Sequence, residues 1–171
     1  MAALTQLSIG SNLGNRSKNL EAALRHIKEK CGEITQLSKV YETPALGFES
    51  KDNFLNMCVS LKTEHEPIVL MRTLKLIEIE MGRVLKSSDG IYRSRIIDID
   101  IIFYGNEIIE TNELVVPHAR YKERLFVLIP LSDMVPEFID PKIHKSIKEI
   151  KKECEDVSII RRYKQSVLVD E

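Results

Sequence analysis

Asp98 and Asp100 stand two positions apart in a stretch, 95–105, that is otherwise Arg95, isoleucine, Phe103, Tyr104 and Gly105. Isoleucine, Phe and Tyr favour a pleated and buried strand, and Gly105-Asn106 reads as the turn that ends it. Side chains alternate along a strand, so the two carboxylates emerge on one face with Cα atoms roughly 6.5–7 Å apart, while Ile97, Ile99 and Ile101 take the other. Two like charges this close raise each other's pKa, and burying them unpaired is costly, so a compensating cation is needed. In one reading the aspartates lie at the rim of a sheet and pair with Arg93 and Arg95. In the sharper reading Mg2+ is the cation, since it is commonly held by one or two carboxylates with waters and substrate phosphates completing its octahedron. The core-like flanks favour the second.

Further charged residues surround the pair in sequence. Arg83, Lys86, Arg93 and Arg95 precede it, and Arg120 and Arg124 follow His118 in 116–124. Six cations and one histidine around two acids suit an anion carrying several phosphates with Mg2+, because arginine forks match phosphate oxygens. A solvated charged face accounts for any one of these cations taken singly. His118 has two readings, a structural loop histidine or a phosphate hydrogen-bond donor or general acid.

The elements that must position these groups can be read from periodicity. Residues 4–9 alternate as a short first strand ending at Gly10. Residues 16–30 carry Leu20, Ala23, Leu24 and Ile27 at helical spacing, with Gly32 as a stop. The turn between them, Gly10-Ser11-Asn12-Leu13-Gly14-Asn15, either cradles phosphate on helix N–H groups or is simply tight; it lacks the spacing and lysine of a P-loop. Residues 34–41 and 54–62 alternate again and read as paired strands whose connection, from about Pro44 to Asn53, is longer than a hairpin needs. Asn56 sits between large apolar residues, either as a satisfied core amide or as a ligand contact. Pro67 opens a second helix with Leu70, Leu74, Ile77 and Met81 on one stripe and Glu78 and Arg83 at its end. Residues 84–94 are polar and aperiodic, the pattern of an exposed mobile loop. Beyond His118, 125–131 is apolar, with Pro130, Pro136 and Pro141 spacing out a coil; 146–155 suggests a short helix, 157–160 an edge strand, and the last residues look dispensable.

Composition bounds the function. At 171 residues the chain is most simply one domain. Its 25 Lys and Arg against 26 Asp and Glu, net charge −1, exclude a polycation for bulk nucleic-acid or anionic-membrane binding. Cys31, Cys58 and Cys154 are few, scattered and odd in number, arguing against a disulfide framework or a zinc site and for free thiols in a reducing cytoplasm. No run approaches the roughly 18 apolar residues of a membrane span, and no signal peptide opens the chain.

Several of these pieces fall in a familiar order. Gly10-Ser11-Asn12-Leu13-Gly14, Tyr41-Glu42-Thr43-Pro44 with Leu46-Gly47, Phe54-Leu55-Asn56, Glu78 with Gly82-Arg83, Arg95-x-x-Asp98-Ile99-Asp100-Ile101, and Val116-Pro117-His118 with Arg124 resemble the 6-hydroxymethyl-7,8-dihydropterin pyrophosphokinases of folate biosynthesis over about residues 4–136. The resemblance implies transfer of pyrophosphate from ATP to the pterin hydroxymethyl group with release of AMP. It implies a ferredoxin-like α+β fold, a four-stranded antiparallel core covered by helices in a single domain, 1–171, whose last ~15 residues form a peripheral tail. Asp98 and Asp100 would hold two Mg2+ ions and, with Arg83 and Arg95, carry the chemistry. Glu78, Lys86, Ile101, His118 and Arg124 would surround ATP. Thr43, Pro44, Leu46, Phe54, Asn56 and Phe126 would form the pterin slot. The chain departs from the family pattern in lacking tryptophan, with Tyr92 in the region where one is common, and in having Glu113 and Ala119 where a basic residue and a tyrosine occur. A cytoplasmic monomer acting on small molecules, without nucleic acid or membrane, is the expectation.

Overall fold

The computed structural model describes residues 1–43, 53–82 and 96–164. In chain order the elements are β1 (Ala3–Ser11), α1 (Arg16–Lys30), β2 (Glu33–Leu37), β3 (Tyr41–Thr43), β4 (Phe54–Thr63), α2 (Pro67–Glu80), β5 (Asp98–Tyr104), β6 (Ile109–Glu110), β7 (Val115–Val116), α3 (Leu125–Met134), α4 (Ile147–Glu153) and β8 (Arg161–Arg162). A 3-10 turn at Tyr121–Glu123 leads into α3. The fold is α+β, with one antiparallel sheet in the order β5-β1-β4-β3-β8 and β2 also pairing with β4; β6 and β7 make a separate small hairpin.

The helices form where their sequence dictates. Asn15 caps α1, its side chain accepting from the Lys18 N–H at 3.2 Å, and the stripe Leu20, Ala23, Leu24, Ile27 is completely buried. Pro67 opens α2, and Leu70, Leu74 and Ile77 face the sheet. A Lys30–Glu80 ion pair ties the ends of the two helices together. At Gly32, with φ 144°, a Cβ would lie 2.2 Å from the Lys62 carbonyl oxygen, so only glycine lets the chain leave α1 so close to β4.

The sheet separates two apolar cores. Leu7, Ile9, Leu55, Met57, Val59, Leu61, Ile97, Ile99 and Ile101 pack against α1 and α2. Cys58, Ile102 and Phe103 pack against Val127, Leu128 and Leu131 of α3 and Ile147 and Ile150 of α4. Strand β5 bridges the two through a register shift: Leu7 pairs with Ile101 but Gln6 with Phe103, which leaves Ile102 as an extra residue. Ile102 and Phe103 therefore both enter the second core, and Tyr104 returns to the first.

Four expectations need correction. The sheet has six strands rather than four, because the strand expected over 34–41 is broken into β2 and β3 and because β8 adds itself outside β3. The break comes at Ser38, whose hydroxyl accepts the Cys58 N–H at 2.8 Å in place of a backbone carbonyl. The expected coil after Leu125 is helix α3, which tolerates Pro130 in its interior because Val127, Leu128, Pro130, Leu131 and Met134 are all buried between the sheet and α4. The late edge strand lies at Arg161–Arg162, not at 157–160, where Val157 and Ile159 are exposed. The β6–β7 hairpin gave no strand signal, being only two residues on each side. Helix α4 forms as expected, with Ser146 and Glu149 completing a capping box. Cys31 and Cys58 are buried and Cys154 half-buried, all as free thiols. No described helix is long and apolar enough to cross a membrane.

Candidate functional site

Antiparallel pairing sets Asp98 opposite Gly10, and Gly10 opposite Asn56 on the next strand; one rung over, Asp100 faces Ser8, which faces Cys58. Both aspartates are half-buried while Ile97, Ile99 and Ile101 are buried in the α1–α2 core, the facing the sequence implied. They thus share the α3 side of the sheet with Asn56 and Cys58. Between them the backbone is held from behind: a Glu78 carboxylate oxygen, on a side chain only 4% exposed, accepts the Ile99 N–H at 2.7 Å. Among the described residues no group of three or more His, Cys, Asp and Glu could hold a metal. The protein therefore offers two carboxylates on one strand face, a donor set that fits a hard cation sharing its remaining positions with phosphates and water rather than a closed protein cage.

Strand β5 is the sheet edge among the described residues, and His118 is fastened along it, its N–H donating to the Ile102 carbonyl at 3.0 Å. His118 Nδ1 accepts the Arg120 N–H at 3.1 Å, so the neutral ring carries its proton on Nε2. Burial, the nearby Arg124 and Arg120 lower its pKa to about 4, with Asp98 acting in the opposite direction. Neutral at physiological pH, His118 can donate a hydrogen bond from Nε2 but is not charged as a general acid. Beside it a depression of about 250 Å³ is lined by Met71, Leu74, Ile99, Ile101 and Leu114 on its apolar side and by Lys75, Asp100 and His118 on its polar side. Glu113, in an ion pair with Arg72 at 3.0 Å, and Ala119 also line it, so both departures from the family pattern fall on this wall.

The candidate ring-binding residues gather at the other end of the same rung. Asn56 is 4% exposed and its amide donates to the buried Thr43 hydroxyl at 2.7 Å. A Cβ on Gly10 would lie 2.6 Å from Asn56 Oδ1 and 3.4 Å from a Phe54 ring carbon, so the glycine leaves the space these two side chains share. Across from them, Cys58 Sγ approaches the Val127 carbonyl at 3.7 Å, setting the first turn of α3 over β4 two positions from Asn56. Phe126 lies in that turn, half-buried, with the Arg124 guanidinium 5.6 Å from its ring centroid. The structure thus brings together Asp98, Asp100, Ile101, His118 and Arg124 on one side and Thr43, Phe54, Asn56 and Phe126 on the other, with Glu78 behind the strand. Pro44, Leu46, Arg83, Lys86, Tyr92 and Arg95, and the whole loop expected over 84–94, lie outside the described residues.

Sequence reasoning missed several supports. Arg16, on the first turn of α1, pairs with Glu42 at 2.8 Å and donates to the Asn53 carbonyl at 2.7 Å, joining the ends of β3 and β4. The buried Asp140 accepts from the Tyr121 hydroxyl and from the N–H of Lys142 at 2.7 Å, fixing the 3-10 turn that precedes Arg124. Only the Asp140-Pro141 pair, a turn signal, hinted at the second. The Gly10–Gly14 turn satisfies itself: Asn19 donates to Ser11 Oγ at 3.1 Å and to the Leu13 carbonyl at 2.7 Å, which favours the tight-turn reading.

Comparison with known proteins places this geometry in context. Residues 6–136 match the family model described as 7,8-dihydro-6-hydroxymethylpterin-pyrophosphokinase (HPPK). A 2-amino-4-hydroxy-6-hydroxymethyldihydropteridine pyrophosphokinase of Porphyromonas gingivalis is 42% identical over 135 residues, 78% of this chain and 92% of that one. The protein of the same name from Aquifex aeolicus is 39% identical over 151 residues, 88% of this chain and 92% of that one. Among solved structures, wild-type Plasmodium falciparum HPPK-DHPS with pterin and p-hydroxybenzoate superposes with a TM-score of 0.70 at 18% identity, over 90% of this chain and 42% of the larger one. At that identity the likeness concerns the fold alone, and this chain spans less than half the length of that HPPK-DHPS chain.

Proposed function

The chain belongs to the 7,8-dihydro-6-hydroxymethylpterin-pyrophosphokinase family, and from that premise we propose how its own residues carry out the family's reaction. It is an ATP-dependent diphosphotransferase: it moves pyrophosphate from ATP to the hydroxymethyl group of 6-hydroxymethyl-7,8-dihydropterin in folate synthesis and releases AMP. The observation that supports the site assignment is the rung Asp98–Gly10–Asn56. It aligns a phosphate-side carboxylate and a ring-side amide on one sheet face, with Cα atoms about 9–10 Å apart across two strand spacings.

In this reading the pterin ring lies between Phe54 and Phe126, where offset aromatic stacking favours a flat heterocycle, and Asn56 and Thr43 read its polar edge. Pro44, Leu46 and Tyr92, outside the described residues, are assigned to the slot by the family resemblance alone. ATP lies beside β5, its base against Ile99, Ile101, Leu74 and Leu114 and its phosphates toward His118 Nε2–H and the Arg124 fork. Lys86, Arg83 and Arg95 add positive charge around the phosphates. Glu78 acts one layer further back, through the Ile99 N–H. Two Mg2+ ions held by Asp98 and Asp100 would neutralise the triphosphate and lower the pKa of the hydroxyl. The substrate hydroxyl oxygen attacks the β-phosphorus in line and releases its proton to solvent, the bond between the β-phosphorus and the oxygen bridging to the α-phosphate breaks, and AMP leaves with that oxygen. Positioning and charge neutralisation supply most of the acceleration, in keeping with the lack of an obvious general base among the described residues.

The architecture supports a ferredoxin-like reading of the core. Strands β1, β4 and β5 with the β2/β3 edge, and helices α1 and α2 on one face, follow a split β-α-β order. We take residues 1–171 as one such domain, working as a monomer in a reducing cytoplasm. Incubation with ATP, Mg2+ and 6-hydroxymethyl-7,8-dihydropterin followed by product identification tests the function: AMP and the pterin diphosphate in equal amounts are expected, and ADP or inorganic phosphate as the main nucleotide-derived product overturns it.

A further inference from the structure

The family match ends at residue 136, yet the chain beyond it returns to both walls of the ring slot. Helix α3 has no side-chain cap of its own, since Arg124 at its N-cap makes no such bond and its first turn has no acid. The missing acceptor comes from 31 residues downstream: Asp156 Oδ2 takes the Leu125 N–H at 2.9 Å. The other oxygen of Asp156 accepts from Ser158 N–H at 2.8 Å and Ser158 Oγ at 2.5 Å, so the carboxylate is locked in place. A carboxylate on the first N–H of a helix satisfies an orphan donor and complements the helix dipole. Here the capped residue sits between Arg124 and Phe126.

Five to seven residues later the same segment reaches the opposite wall. Arg161 and Arg162 pair with Glu42 and Tyr41, and the Tyr163 N–H donates to the Val40 carbonyl at 2.9 Å, while its side chain packs on the α1–α2 core. Strand β3, thus paired on both edges, ends at Thr43, whose hydroxyl orients Asn56. A third tie runs directly between the walls, Tyr41 hydroxyl to Asp133 of α3 at 2.7 Å.

We propose that residues 155–164 are a strap that positions the two walls of the ring slot against each other, with Asp156 as its anchor and a positioning residue for pterin. The proposal rests on the assignment of Phe126, Asn56 and Thr43 to the pterin site. Asp156 touches no substrate; it acts by holding the first turn of α3 at the height and angle that bring Phe126 over the ring. The chain end is then part of the specificity apparatus rather than a dispensable tail.

The test uses the full chain and three single variants, each assayed well below its melting temperature. Phe126→Ala tests the slot, Asp156→Ala removes the anchor, and Asp156→Asn keeps an oxygen that can accept from Leu125. Asp156→Ala is expected to raise the KM for 6-hydroxymethyl-7,8-dihydropterin about three- to tenfold, the size of a lost helix cap, with kcat at saturating substrates changed less than twofold. Asp156→Asn is expected to restore most of that loss. A raised pterin KM in Phe126→Ala with an unchanged one in Asp156→Ala overturns the strap alone; an unchanged KM in Phe126→Ala overturns the slot on which it depends. Equal impairment of the Asn and Ala variants at position 156 also overturns the anchor, because a purely structural loss does not distinguish an acceptor from a methyl group.

Discussion

At the scale of single residues, the proposed site assigns the two ends of one rung to different substrates and so makes separable predictions. Asp98→Asn and Asp100→Asn each remove one of two like charges from the strand face proposed to hold Mg2+, so both variants are expected to fold with unchanged or slightly higher melting temperature and to lose most turnover at physiological Mg2+. Near-wild-type turnover in either one sinks the metal assignment. Asn56→Ala is expected to weaken pterin binding by roughly 1–3 kcal/mol and leave MgATP binding nearly unchanged, as titration calorimetry with each ligand would show. Gly10→Ala should do the same with Asn56 itself unaltered, since the added methyl group would stand 2.6 Å from Asn56 Oδ1 and push the amide aside. His118 gives a pH signature. Its folded-state pKa is near 4 against 6.5 for the unperturbed group, so on acidification the unfolded chain takes up a proton that the folded one refuses. The contribution of neutral His118 is complete above about pH 6.5 and is lost as pH falls toward 4. In metal-free protein, His118→Asn should flatten that part of the melting-temperature curve; parallel curves for variant and wild type argue against it. The types and spacing of Asp98, Asp100, Asn56 and His118 were visible in the chain, whereas the protonation of His118 was not, because it depends on Arg124 and on burial that no local pattern encodes.

At the scale of elements, legibility tracked how local the cause was. Helix α1 was readable to its first and last residues because Asn15, the four-residue apolar stripe and Gly32 all lie within or beside it. The break between β2 and β3 was not, since it depends on one Ser38 hydroxyl meeting a strand twenty residues away. Helix α3 was hidden by Pro130, a strong local signal that two buried sides override, and the strap was hidden because Asp156 and Leu125 meet only in three dimensions. The bulge in β5 is a feature of the same kind. It turns Phe103, 1% exposed, into the second core, edge-on to Tyr121 at 5.0 Å and tilted against Phe138 at 4.7 Å. Phe103→Ala should therefore cost about 3–5 kcal/mol, measured by urea denaturation, a loss typical of a fully packed aromatic. A loss under ~1 kcal/mol would mean that β5 can shed its extra residue and restore plain alternation.

At the scale of the whole molecule, one sheet divides the α1–α2 core from the α3–α4 core. Motif order along the chain made the family legible, but this division was not, because residues 97–103 send side chains to both cores from a single strand. The three thiols sample the arrangement in depth. Cys154 lies half-buried just after α4; Cys31 ends α1 with its pKa pushed up by burial to about 11; Cys58 is sealed beneath α3, where burial raises its pKa further still. Alkylation requires thiolate and access together. In native protein a small alkylating reagent at neutral pH should modify Cys154 first, and Cys58 only when α3 lifts away from the sheet. Peptide mass spectrometry over a time course would then turn Cys58 into a clock for opening of the α3–α4 half, and Cys31 into a separate clock for the α1–α2 half, with neither needing an added label.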